Sequence, residues 1–153
     1  MKNLSMLHWI KGLDPVADAF SGTVTTDVVD AQGEGVLFLI YKGVGATGTS
    51  TITVLAADDT TPSNTTAVEF IYRTNTSGDT WSAWTTAAAA GFTTTAGSSQ
   101  MYQIYCDAAQ LAEESYGYVQ LQAVEVADDP VLGGIAIAVS NLRYAEQPSS
   151  LVD

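Results

Sequence analysis

Apolar and polar positions alternate along most of this chain, most densely from Gly35 to Ala57, GVLFLIYKGVGATGTSTITVLAA. Val36, Phe38 and Ile40 share one side of an extended segment, and Leu37, Leu39 and Tyr41 share the other. Further on, Ile52 and Val54 alternate with Thr51, Thr53 and Leu55, the period of two expected of a strand with one dry side. A first strand apolar on both sides predicts a central position, covered by a second layer or by another subunit. Gly43, Gly45 and Gly48 between the two strands read as a hairpin loop, supplying the backbone freedom of a turn.

The same design recurs downstream. Ala67 to Arg73 (AVEFIYR) reads as one strand with Val68, Phe70 and Tyr72 on one face. Thr74 to Asp79 (TNTSGD) is a turn, and Thr80 to Thr86 returns as its hairpin partner. Met101 to Asp107, Tyr116 to Val126 and Gly133 to Ser140 are further strands, the last ending in Leu142-Arg143-Tyr144. Ala108 to Ser115 (AAQLAEES) predicts one helical turn with Asp107 as its N-cap. About eight strands, one helical turn and no βαβ rhythm predict an all-β protein. The expected form is a single two-sheet sandwich, jelly-roll-like, with an immunoglobulin-like sandwich as the alternative.

The opening residues break the rhythm. Leu4, Met6, Leu7, Trp9 and Ile10 crowd one short segment, followed by Gly12, the turn signal Asp14-Pro15 and a threonine-rich run from Thr23. Apolar side chains here need a cover. The reading is an extended N-terminal arm over 1–26 that docks on a neighbouring subunit through Leu4, Met6, Leu7, Trp9, Ile10 and Phe20. The sandwich then spans 27–145, and 146–153 forms a turn-like tail. The alternative is that Trp9 and Ile10 fold back on their own sandwich.

Charge narrows the function classes. With 17 acidic and 5 basic residues the net charge is −12, so phosphate backbones are repelled and no nucleic-acid partner is expected. No apolar run reaches membrane-spanning length. The single cysteine, Cys106, forms no internal disulfide and alternates with Tyr102 and Ile104 as a buried small hydrophobe, consistent with assembly in a reducing cytoplasm.

Candidate chemistry is sparse. His8 is the one histidine, so no histidine-based triad can be assembled, and no metalloprotease, nucleotide or paired-cysteine motif is present. The GVGATG run lacks the Lys-Ser/Thr ending of a phosphate loop and joins two strands. The pairs Asp58-Asp59, Glu113-Glu114 and Asp128-Asp129 lack the alternating spacing of a calcium loop and read as solvated turn acids. No enzyme activity, cofactor or metal is expected. Trp81 and Trp84, three apart on a strand, should face opposite sides, so that at most one fills the core and the other is a candidate sugar-stacking platform or interface anchor.

Four stretches together resemble a known family: LDPVADAF followed by TTDVV; the Gly35–Ala57 segment running into DD; AVEFIYRTNTSGDTW; and YQIYCDAAQL with GYVQLQAVEV and a final LRY. They are similar to the head decoration, or capsid cement, proteins of tailed bacteriophages. That resemblance implies a structural virion protein on the outer capsid surface, binding the major capsid protein across capsomer junctions, often as a homotrimer with an extended terminal arm. A minor head or tail protein and a carbohydrate-binding module are the competing expectations.

Overall fold

The computed structural model describes residues 7–31, 34–45 and 47–140. The expected tail, Leu142-Arg143-Tyr144 and the interface candidates Leu4 and Met6 lie outside them. In chain order the elements are β1 (Leu7–Val16), β2 (Thr23–Thr25), β3 (Val29–Asp30), β4 (Gly35–Lys42), β5 (Thr49–Ala57), β6 (Thr65–Val68) and β7 (Phe70–Ser77). There follow β8 (Thr80–Trp81), β9 (Thr85–Ala87), β10 (Phe92–Thr93), β11 (Gln100–Asp107), α1 (Ala108–Glu113), β12 (Tyr118–Ala127) and β13 (Gly133–Ser140).

Two antiparallel sheets pack face to face, giving an all-β sandwich. The larger sheet runs β1-β13-β4-β11-β7-β8, with β9 also on β7. The smaller runs β10-β5-β12-β2, with β3 on β12 and β6 on β5. As its two apolar sides predicted, β4 is central, paired with β11 on one side and β13 on the other.

Its link to β5 differs from the expected hairpin. β4 lies in the larger sheet and β5 in the smaller, so the glycine-rich segment crosses between layers. Alternation marks which side of a strand is dry but not which sheet it joins, and this loop is long enough to span the ~10 Å between packed sheets. Its glycines serve close approach, since none of Gly43, Gly45 and Gly48 has a positive φ. A Cβ on Gly48 would run into the Asp129 carbonyl oxygen and the Val131 side chain. The expected strand Ala67–Arg73 is likewise two strands in two sheets, breaking at Glu69.

The expected arm also departs from its reading. From Leu7 onward it belongs to the sandwich, because β1 pairs with β13 (Ile10 opposite Ile137, Leu13 opposite Ile135) and β2 pairs with β12. Ile10 and Phe20, read as interface residues, are buried in the chain's own core. Ile10 alternates onto the inner face of β1, and Phe20 turns inward from the segment between β1 and β2. Burial there contributes roughly 1.5–3 kcal/mol per large side chain.

Between the sheets lie Phe38, Ile40, Ile104, Tyr102 and Phe70 from one layer and Ile52, Val54 and Leu121 from the other. Phe92 of β10 bridges the layers, stacked on Tyr72 at a ring separation of 3.8 Å and tilted against Phe70 and Tyr102. The buried Tyr102 hydroxyl accepts from the Thr95 amide (3.0 Å) and donates to Gln100 Oε1 (2.9 Å), so it carries no unmet polar cost. The helical turn forms as read. The Asp107 side chain accepts from the Ala109 amide, Gln110 closes the capping box, and Leu111 plugs into the core.

Candidate functional site

Strand periodicity gives each sheet an outer face, and the two differ in chemistry. On the smaller sheet, Thr51, Thr53 and Leu55 of β5 lie beside Val124, Gln122 and Gln120 of β12, with Thr23 and Thr25 of β2 beyond. This face is dominated by uncharged polar groups; the Thr51 and Thr93 hydroxyls meet at 3.2 Å.

The outer face of the larger sheet is apolar. Registers place Leu7, Trp9 and Lys11 of β1 against Ser140, Ala138 and Ala136 of β13. Next come Leu37, Leu39 and Tyr41 of β4, then Tyr105, Gln103 and Met101 of β11, then Ile71 and Arg73 of β7. Trp9 and Tyr41 are 51% and 57% exposed, which is unusual for rings of that size on an isolated protein. Gly134 and Ala136 leave a depression in this face, a groove of about 490 Å³ walled by Leu13, Pro15, Leu39, Tyr41 and Leu132.

Charge is segregated the same way. Of the chain's 17 acidic residues, the described strands of this sheet carry two, Asp14 beside the groove and Asp107 at the end of β11. Of the five basic residues, Lys2 and Arg143 lie outside the described residues and Lys42 is buried. Lys11 and Arg73 both stand on the apolar face, with Lys11 held at 3.2 Å by Asp14.

At the far edge of the same face, Trp81 and Trp84 correct the expectation of opposite sides. Trp81 is opposite Asn75 while Thr85 is opposite Tyr72, so the β8–β9 segment carries one residue more than β7. This extra residue reverses the alternation, as a bulge does. Both indoles consequently stand on the outer face, with the Arg73 guanidinium carbon 4.8 Å from the Trp81 ring centre and 4.7 Å from that of Trp84. Neither fills the core.

The remaining candidates have structural work to do. Asp58 accepts from the Ser63 and Asn64 amides and from the Asn64 side chain, which chiefly holds its carboxyl below the usual range. Asp129 Oδ2 accepts from the Thr47 amide and helps to fasten the inter-sheet crossover. Burial pushes the Cys106 thiol up to about 12, with Asp107 adding to the shift, so it is protonated and unreactive at neutral pH. Among the described residues no group of three or more potential metal ligands comes together, and no helix is long and apolar enough to cross a membrane.

Of the six expected interface residues, Leu7 and Trp9 reach the apolar outer face, Ile10 and Phe20 do not, and Leu4 and Met6 lie outside the described residues. Leu39, Tyr41, Leu132 and Arg73 went unread as site residues. The signal for them was the second apolar side of β4, already visible in Leu37, Leu39 and Tyr41.

Comparison of the chain with family models, with curated proteins and with solved structures gives no match.

Proposed function

We propose that this protein is a structural docking module that decorates and stabilises the outer surface of a phage capsid. It binds the major capsid protein across capsomer junctions through the outer face of its larger sheet, as a homotrimer. The observation that carries the reading is the continuous apolar face from Trp9 to Tyr41 and Met101, bordered by two strand carboxylates, Asp14 and Asp107, on a chain of net charge −12. Such a surface is costly to leave in water and is a signature of protein–protein contact. The sequence resemblance to capsid cement proteins supplies the partner, and the acidic remainder of the surface suits a position away from packaged DNA.

Mass-spectrometric counting of this chain in purified particles tests the assignment. Decoration predicts hundreds of copies per head; a dozen or fewer contradicts it and favours a connector or tail role. A carbohydrate-binding module is the second reading, favoured by the shared face of Trp81 and Trp84. Robust glycan-array binding that disappears in Trp84→Ala would select it.

A further inference from the structure

We propose that Arg73, held over the indoles of Trp81 and Trp84, is a receptor for an aspartate or glutamate side chain presented by a protein partner. The proposal rests on the larger sheet's outer face being the docking face, and it adds what that face recognises at its far edge.

The geometry prepares the guanidinium for a carboxylate. Gln103, directly opposite Arg73 in register, accepts from its Nε at 2.7 Å. This bond fixes the roll of the planar group and leaves the Nη donors for a ligand. The two indoles, 4.8 and 4.7 Å from Cζ, hold the cation and limit its contact with water. A guanidinium is weakly hydrated and grips a carboxylate with two parallel hydrogen bonds, so little ordering is left for the moment of binding.

Partner charge follows from what surrounds Arg73. The chain has more than three times as many acidic as basic residues, yet among the described residues no carboxylate pairs with Arg73. A polyanionic phosphate ligand would meet the repulsion of the whole molecule, whereas a single carboxylate on a docking protein meets it only locally. The neighbouring Ile71 and Met101 offer apolar packing, and the Tyr105 hydroxyl donates to the Glu34 carbonyl, which leaves few polar partners of the kind a sugar requires. Tryptophan and arginine are also among the residue types that dominate protein–protein binding energy.

The test uses the intact protein and N-acetylglutamate N-methylamide as probe, titrated at constant ionic strength while the three indole N–H signals are followed by NMR. Trp81 and Trp84 should shift saturably with a Kd of roughly 1–50 mM, a weak single-contact range. Trp9, on the opposite edge strand, is the internal control and should stay still. The isosteric N-acetylglutamine N-methylamide should produce no saturation. Arg73→Lys keeps the charge but loses the fork and should weaken the probe roughly tenfold; Arg73→Gln should abolish binding, with both variants melting like wild type. Absence of saturation by roughly 100 mM probe, or an undiminished response in Arg73→Gln, overturns the proposal. So does N-acetylneuraminic acid binding roughly tenfold tighter than the probe, with that binding lost in Trp84→Ala, since an acidic sugar would then be the ligand. Because no particle takes part, failure here leaves the docking face standing, and failure of particle binding leaves the receptor standing.

Discussion

Lys42→Ala lowers the stability of the fold by about 3–5 kcal/mol in denaturant unfolding, and Lys42→Met by about half of that. Lys42 closes β4 with its side chain turned inward, 2% exposed. Its ammonium donates to the carbonyls of Gly48 and Thr95, each at 2.7 Å. These bonds tie the crossover between the sheets to the segment preceding β11. Methionine fills a similar volume but leaves two acceptors without their donor; alanine adds a cavity. Burial lowers the Lys42 pKa, and the charge of Asp129 partly opposes the shift. Between that lowered value and the ordinary 10.5 the unfolded chain holds a proton that the folded chain has released. The contribution of this group to stability therefore rises with pH across that window. A neutral amine still has two hydrogens for the two carbonyls. The difference between wild type and Lys42→Met should widen as pH rises toward 10.5; a narrowing gap would contradict this placement of Lys42.

Gly91→Ala should cost about 2–4 kcal/mol, from the left-handed backbone and the steric clash together. Gly91 has a φ of +79°, and its Cβ would strike the Ile52 carbonyl oxygen and approach Thr53 Cγ2 at 2.8 Å. That contact lies where the chain enters β10, the strand that carries Phe92 to its place between the layers. Gly78 separates the two costs, since its φ is +58° but nothing lies within 4 Å of its Cβ position. Gly78→Ala should cost only the backbone share, about 1–2 kcal/mol. Equal losses at the two positions would mean that the close approach to Ile52 is not what Gly91 provides.

The sandwich was legible because burial leaves a period of two. Val119, Leu121 and Ala123 predict their own inward face, and so do Tyr102, Ile104 and Cys106. Sheet membership was not legible, because the same alternation fits a hairpin and an inter-sheet crossover; only long-range pairing distinguishes them. This is why the Gly43–Gly48 segment and the Val68–Phe70 corner were misread. Burial of Ile10 and Phe20 was hidden for a related reason, since their partners Ile137 and Gly133 lie more than a hundred residues away. The Trp81–Trp84 pairing depended on a single extra residue, which no local propensity announces. The apolar outer face, by contrast, was readable at β4, where Leu37, Leu39 and Tyr41 needed a cover that the fold itself does not supply.

Binding of the double variant Tyr41→Asp with Leu132→Asp to undecorated heads, measured by co-sedimentation, decides whether the larger sheet's outer face docks. Both side chains are well exposed, at 57% and 43%, so the sandwich should fold and melt as wild type does. Two carboxylates in the groove wall should weaken attachment by roughly a hundredfold or more, as charge placed in an apolar contact does. Val126→Asp, on the smaller sheet and 61% exposed, should leave attachment unchanged. If the double variant decorates heads as tightly as wild type, or the Val126 variant fails in its place, the larger sheet's outer face is not the docking surface.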